Sequence, residues 1–214
     1  STWSAYNNHY WPADYLIDAN GSIRYTVFGE GDYAQTEQAI RQLLQSAGYS
    51  LPSNLTNFTS STNFSQIGTS EIYLGYATIR APIGNTQGFS ENKTVNYTAT
   101  NVTQPNIVYF YGEWYNAPDG MIAVNNSKLF MVYRAKDVNI VASGNNSRVN
   151  IILDGKNLTQ AYLGSDVSLS SNGTASAVVN QSRLYNIVNA SSYGAHALGI
   201  DAGPGFKIYT FTFG

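Results

Sequence analysis

The sequence predicts a mainly β protein with a small α+β part, in which a hairpin and a helix are followed by an antiparallel jelly roll or sandwich. Residues 71–214 contain many short β-type segments separated by turns, which is typical of such folds. Residues 1–49 combine two short strands with one helical period. Residues 50–70 carry no charge and are rich in Ser, Thr and Asn, which indicates a linker.

The N-terminal region begins with a predicted hairpin. The strands Tyr15–Ile17 and Ile23–Phe28 flank a four-residue turn that ends in Asn20-Gly21, a pair that accepts positive φ. Apolar residues then recur at helical spacing from Tyr33 to Ala47, and Gly48 is a natural stop for the helix.

The C-terminal region contains eleven candidate strands, separated by turn signals such as Asp154-Gly155 and Asn172-Gly173. These strands are Ile72–Ile79, Ile107–Trp114, Met121–Val124, Leu129–Arg134, Val138–Ala142, Arg148–Leu153, Gln160–Leu163, Ala175–Val179, Arg183–Val188, Ala195–Ile200 and Phe206–Phe213. Their number and spacing favour one all-β domain over 71–214.

The composition excludes several classes of function. The net charge is −2, from 11 basic and 13 acidic residues, so no basic field exists for nucleic acid. Cysteine is absent, which removes disulfides, thiolate metal sites and thiol redox chemistry. The longest apolar run, Leu129–Tyr133, is too short to span a membrane. No phosphate-binding or nucleophile motif is present, and no cofactor or metal is expected.

Charged residues make up only 11% of the chain, so something else must hydrate its surface. Asn-x-Ser/Thr sequons begin at 13 of the 23 asparagines, whereas the Ser and Thr content predicts about four by chance. We therefore expect a heavily N-glycosylated chain. The sequon asparagines are Asn20, Asn54, Asn57, Asn63, Asn92, Asn96, Asn101, Asn125, Asn145, Asn157, Asn172, Asn180 and Asn189. Dense sequons without cysteine indicate an archaeal cell-surface protein.

The densest aromatic cluster is the other candidate binding site. Tyr109, Tyr111, Trp114 and Tyr115 lie on one predicted strand and its end, and flat rings on a sheet can stack on sugars. The alternative is that these rings fill the core of the sandwich.

Candidates for catalysis and metal binding are few. They are His9 beside Asp14 or Glu30, His196 within a predicted strand, and Glu113 facing Asp119 or Asp154 as a carboxylate pair. None forms a recognisable catalytic motif, so no enzymatic activity is predicted. Asp154, Asp166 and Asp201 could hold calcium, although their spacing lacks a tight acidic motif.

Several blocks carry a family resemblance, and they occur in order along the chain: Trp3-x-Ala5-Tyr6, Tyr10–Asp18, Ile23-Arg24-Tyr25, Phe28–Gly31, Thr36-Glu37, Tyr73–Ala77, Gly112-Glu113-Trp114, Arg134–Val138, Leu153-Asp154-Gly155, Arg183-Leu184-Tyr185 and Tyr209–Gly214. Together they resemble the extracytoplasmic C-terminal region of DipZ-type proteins. That resemblance implies the second half of a thioredoxin-like domain followed by a jelly roll like that of carbohydrate-binding modules.

The chain departs from this family in one decisive respect. A thioredoxin-like fold opens its first helix with Cys-x-x-Cys, and the strand, redox helix and second strand of that half have no counterpart here. The resemblance makes Pro12 the candidate cis-proline that normally faces the disulfide. Without cysteine, the family's redox activity does not transfer to this chain.

These observations favour a secreted or cell-surface structural or adhesive glycoprotein without enzymatic activity. The uncovered edge of the hairpin predicts pairing with a strand from another copy, and head-to-tail addition would build a filament or surface matrix. One alternative is a glycan-binding module whose partner is a surface polysaccharide. The other is the non-redox tail of a DipZ-like thiol oxidoreductase, whose partner would be the missing N-terminal half.

Overall fold

A computed structural model describes residues 5–8, 12–28, 33–54, 56, 64–78, 82–98 and 104–214. The chain forms two compact units, Ser1–Ser61 and Thr62–Gly214, and the division falls inside the predicted linker. No helix in these ranges is long and apolar enough to cross a bilayer. His9, Glu30, Asn57, Asn63 and Asn101 lie outside the described residues.

The first unit contains the predicted hairpin. Strand β1 (Ala13–Ile17) pairs antiparallel with strand β2 (Ile23–Phe28). The turn is organised by Asp18, whose Oδ1 accepts hydrogen bonds from the backbone N–H groups of Asn20 and Ser22, both at 2.9 Å. Gly21 has φ +82°, a backbone conformation that glycine adopts readily. Local turn chemistry therefore forms the hairpin where the sequence predicts it.

Helix α1 (Tyr33–Ser46) follows the hairpin and matches the predicted helix to within one residue. It ends at Gly48, which has φ +89°, while the amide of Tyr49 bonds back to the carbonyl of Leu44 at 3.0 Å. This arrangement satisfies carbonyls that the last turn would otherwise leave unpaired.

The predicted linker is anchored at both ends. On α1, Arg41 donates to the carbonyls of Pro52 and Asn54, and Glu37 accepts from the amide and hydroxyl of Thr56. At the other end, the hydroxyl of Thr69 accepts from the backbone N–H of Arg134 at 2.7 Å. The described terminal parts of 50–70 thus make hydrogen bonds to the units that they border.

The second unit is antiparallel β, which confirms the predicted fold class. Its strands are β3 (Ile72–Tyr73), β4 (Thr94–Thr98), β5 (Tyr109–Ala117), β6 (Gly120–Ala123), β7 (Ser127–Ser143), β8 (Ser147–Leu153), β9 (Lys156–Asn157), β10 (Ser168–Leu169), β11 (Ala175–Val179), β12 (Arg183–Ala202) and β13 (Lys207–Phe213). They join in the order β10-β11-β8-β12-β7-β13-β6-β5-β4, with β3 on β13 and β9 on β8.

Two long central strands hold this sheet together. Strand β7 pairs with β12 along most of its length, and also with β13 and β5, while β12 pairs with β8. Buried residues from nearly every strand form one continuous apolar cluster. One core therefore stabilises the whole unit.

The sequence-based prediction breaks each of the two long strands, β7 and β12, into two separate strands. It separates Leu129–Arg134 from Val138–Ala142, yet β7 is continuous, and its buried positions change from odd to even residue numbers at Lys136 and Asp137. In β12 the register shifts between Asn189 and Gly194, so extra residues bulge while the strand continues. The predicted strand Gln160–Leu163 is instead a short 3₁₀ turn, and β4, which is mostly polar, was not predicted.

Buried asparagines complete the hydrogen bonding inside the core. Asn85 accepts from the amide of Phe110 and donates to its carbonyl, both at 2.8 Å, so its side chain substitutes for a neighbouring strand. Asn116 accepts a hydrogen bond from the Tyr97 hydroxyl at 2.8 Å. Burial raises the pKa of Tyr97, and the hydrogen bond to Asn116 opposes that shift.

Candidate functional site

The hairpin and helix of the first unit leave much apolar surface in contact with solvent. Ile17 and Ile23 are cross-strand partners, yet they are 45% and 51% exposed. On α1, Ile40 and Leu44 lie on one helical face and are also exposed, and no described side chain of the helix is buried. Val27 is the single buried hydrophobic residue among those described in this unit. The described residues of this unit therefore bury very little apolar surface.

The same unit is also open at the edges of its sheet. Within the described part of the chain, β1 and β2 pair only with each other. A cleft between hairpin and helix is lined by Tyr25, Arg24 and Leu43 among others. Unpaired strand edges and exposed apolar side chains are the two features that a further layer of protein would cover.

The four candidate glycan-binding rings differ in their exposure to solvent. Trp114 is fully buried, with its ring 5.0 Å from that of Phe110, and Tyr109 is buried against Gly84. Tyr111 is 47% exposed and Tyr115 is half-buried. Trp114 and Tyr109 therefore belong to the core, and Tyr111 and Tyr115 are the two candidate rings that remain accessible to a sugar.

His196 and Asp154 form the clearest polar pair in the β unit. Nδ1 of His196 lies 2.8 Å from Oδ2 of Asp154, and Oδ1 accepts the amide of Ala197 at 2.8 Å. Burial raises the pKa of Asp154, but the hydrogen bonds from His196 and Ala197 outweigh it and hold the pKa below its usual value. The pair fastens the turn after β8 to β12.

Aromatic side chains surround this pair. The rings of Tyr133 and Tyr162 lie 5.9 Å and 5.7 Å from that of His196. The Tyr133 hydroxyl is buried without a hydrogen-bond partner among the described residues. Burial first, and then the charges of Asp154 and Asp137, raise its pKa far above the usual range. Tyr133 is thus held as a neutral phenol, which suits packing rather than proton transfer.

The structure separates the remaining carboxylates that the sequence offers for catalysis or calcium. Glu113 accepts a hydrogen bond from Asn125, and Asp119 pairs with Lys207 at 2.7 Å. Asp166 pairs with Arg183 at 2.7 Å and Asp201 with Lys128 at 3.2 Å. Within the described ranges no three His, Asp or Glu side chains gather as a metal site. Among the described residues, the three aspartates considered for calcium therefore form no such site, and Glu113 and Asp119 are each bound to another partner.

The remaining predicted residues lie at the surface. Pro12 is half-buried immediately before β1, and Asp14 is exposed on it. All ten described sequon asparagines are exposed, namely Asn20, Asn54, Asn92, Asn96, Asn125, Asn145, Asn157, Asn172, Asn180 and Asn189. The sequence identified these positions by motif alone, without information on burial.

These features define a cysteine-free antiparallel β domain that follows an incomplete hairpin–helix unit. The family model described as thioredoxin like C-terminal domain matches residues 69–214, and the chain belongs to that family. The match covers the β domain, whereas the thioredoxin-like resemblance in the sequence lies in the preceding unit.

Two curated relatives extend the similarity to the whole chain. They are Protein DipZ of Mycobacterium bovis (strain ATCC BAA-935 / AF2122/97) and Protein DipZ of Mycobacterium tuberculosis (strain CDC 1551 / Oshkosh). Each is 31% identical over 218 residues, which cover 100% of this chain and 28% of the relative. The chain therefore spans 28% of the length of these relatives.

One solved structure has weaker similarity. A family two carbohydrate esterase from Cellvibrio japonicus is 12% identical, with a TM-score of 0.39 over 56% of this chain and 32% of its own. Similarity at this level supports no functional comparison.

Proposed function

We propose that the chain is the non-redox C-terminal part of a DipZ-like thiol–disulfide oxidoreductase located outside the cytoplasm. The hairpin–helix unit would complete a thioredoxin-like fold whose other half carries the cysteines. The β domain would be its accessory domain. The alignment of the entire chain with Protein DipZ supports this assignment, and so does the absence of cysteine.

The open hairpin–helix unit is the observation that carries the proposal. A two-stranded hairpin is marginal in water, and three or more strands or a packed helix are needed for stability. The cross-strand pair Ile17–Ile23 faces solvent, and the described strands have no third partner. A βαβ half would supply both an additional strand and an apolar layer.

This assignment also gives Pro12 a role. It directly precedes β1, the position that the family resemblance gives to the proline facing the redox disulfide. In the completed fold Pro12 would contact the reactive cysteines of the other half.

The surface-filament function has less support. The filament prediction was based on the open edge of the hairpin, and the missing half would cover this edge equally well. The relatives favour the oxidoreductase. Glycan binding loses two of its four rings to the core.

Reconstitution tests the proposal. The full chain is mixed with a Cys-x-x-Cys-bearing βαβ half from a DipZ-type protein, and reduction of insulin and amide exchange in β1 and β2 are measured. We expect no activity from this chain alone, because it has no sulfur nucleophile. Activity and protection of the hairpin amides should rise together when the half is added.

A matched pair of substitutions locates the contact. Ile23→Asp puts a charge on the exposed hairpin face and should weaken association by tenfold or more, since burying an unpaired charge is costly. Val178→Asp, at an exposed valine of β11, is the control and should leave association unchanged. Unchanged hairpin exchange and no activity with the added half would overturn the proposal.

A further inference from the structure

Burial separates the sequon asparagines from the others. All ten described sequon asparagines are exposed. Of the ten asparagines outside sequons, six are buried or half-buried, namely Asn8, Asn85, Asn116, Asn139, Asn150 and Asn186. Every described asparagine that begins a sequon thus lies at the surface, although nothing in the three-residue motif by itself requires exposure.

A need for positive φ does not explain most of these positions. Asparagine is often selected because it tolerates the left-handed backbone region. Among the described asparagines, Asn7, Asn92, Asn106 and Asn146 have positive φ, and only Asn92 begins a sequon. The other nine sequon asparagines occupy backbone conformations that most residues adopt.

Structural hydrogen bonding does not explain them either. The buried Asn85 and Asn116 each bond through both side-chain atoms to the core. By contrast, six sequon side chains make no hydrogen bond to another described residue: those of Asn20, Asn92, Asn96, Asn145, Asn157 and Asn189. Their amide nitrogens are free to react.

The hydroxyl that completes each motif is accessible at most of these sites. Ser22, Thr56, Thr94, Thr98, Thr159, Ser182 and Ser191 are exposed. Thr174, which completes the Asn172 sequon, is half-buried. Two further sites differ more, because Ser127 and Ser147, which complete the sequons of Asn125 and Asn145, are buried and hydrogen-bonded. The chain thus contains sequons whose hydroxyl residue is exposed and sequons whose hydroxyl residue is buried.

We propose that the exposed sequons are N-glycosylation sites that hydrate this charge-poor surface. Nδ2 of each asparagine would attack the anomeric carbon of an oligosaccharide carried on a lipid phosphate. The new C–N bond forms as the C–O bond to phosphate breaks, the lipid phosphate leaves with the electron pair, and Nδ2 releases a proton. A membrane glycosyltransferase would catalyse this transfer without any oxidant or reductant. The inference is independent of the oxidoreductase assignment.

Intact mass of the protein isolated from its own cells tests the inference. We expect this mass to fall on deglycosylation to the value calculated for the unmodified polypeptide. Peptide mapping should find glycan at Asn96, Asn157 and Asn189. Glycan at Asn125 and Asn145 as well would also support the proposal, and would place the transfer before folding.

Two neighbouring serines provide the matched control. Ser191→Ala removes the hydroxyl of the Asn189 sequon, whereas Ser192→Ala changes an equally exposed serine outside any sequon. The first variant should lose the mass of one glycan and the second should lose none. A native mass that deglycosylation leaves unchanged, or glycan retained on Asn189 in Ser191→Ala, would overturn the inference.

Discussion

Replacing Trp114 with alanine distinguishes a core ring from a sugar-binding ring. The side chain is fully buried, its ring contacts Phe110 edge to face at 5.0 Å, and its indole N–H donates to the carbonyl of Tyr111 at 3.2 Å. Truncating such a residue removes buried area and leaves a cavity, so we expect a loss of about 3–5 kcal/mol in the free energy of unfolding.

Tyr111→Ala is the matched control on the same strand. Its ring is 47% exposed, so truncation should cost no more than about 1 kcal/mol. For a unit of this size, each kcal/mol shifts Tm by about 2–4 °C. Trp114→Ala should therefore lower Tm by roughly 6–20 °C, and Tyr111→Ala by a few degrees at most.

Far-UV circular dichroism of the full chain is the suitable assay, because Trp114 is the only tryptophan after residue 61 and its removal abolishes the fluorescence signal of that unit. A parallel polysaccharide-retention assay measures any binding. If Trp114→Ala kept its Tm but lost retention of polysaccharide, the core assignment of this ring would be refuted.

Two further predictions concern polar groups. Asn85→Ala leaves the backbone N–H and C=O of Phe110 without their hydrogen bonds to Asn85 in the core. It should therefore lower the free energy of unfolding by about 2–4 kcal/mol in urea titrations. Thr86→Ala, at an exposed residue, is the control, and equal losses in the two variants would contradict the role of Asn85. The Asp154 carboxylate has a lowered folded pKa, so its stabilisation is present above the unfolded value near 3.8 and is lost as pH falls through the folded value. Unfolding curves between pH 6 and 2 should therefore show a weaker acid destabilisation in Asp154→Asn than in the unsubstituted chain, and identical pH profiles would contradict the clamp with His196.

The sequence predicts best where structure depends on neighbours in the chain. The hairpin turn is formed by Asp18 and Gly21 within a few residues of each other, and α1 ends at Gly48 as expected. These features depend on hydrogen bonds and φ preferences that span at most one turn. A pattern of local residues is then sufficient.

Strand boundaries depend on pairing with strands that are distant in the sequence. Lys136 and Asp137 resemble an interruption in the sequence, yet they lie within β7 because β12 and β13 flank this stretch of the strand. The bulge after Asn189 absorbs extra residues so that β12 can continue beyond it. Neither outcome depends on local propensity alone, since the partner strands supply the pairing.

The candidate sites also depend on contacts that the local sequence does not predict. Strand alternation places Tyr109 and Tyr111 on one face, yet Tyr109 is buried against Gly84 while Tyr111 is exposed. Three aspartates that could have met at one calcium ion are each held by a different cationic or histidine partner. Residue type indicated the chemistry, but distance decided whether the groups could act together.

By itself the sequence determined the mainly β class, the hairpin–helix unit, the family resemblance and the absence of thiol chemistry, because each rests on residue identity or short-range order. The tertiary structure decided which aromatic rings are core and which carboxylates are separated. It also decided that the ten described sequon asparagines lie at the surface and that apolar side chains of the hairpin and α1 are exposed. These properties depend on contacts between segments far apart in the chain, and burial exists only once those segments have packed.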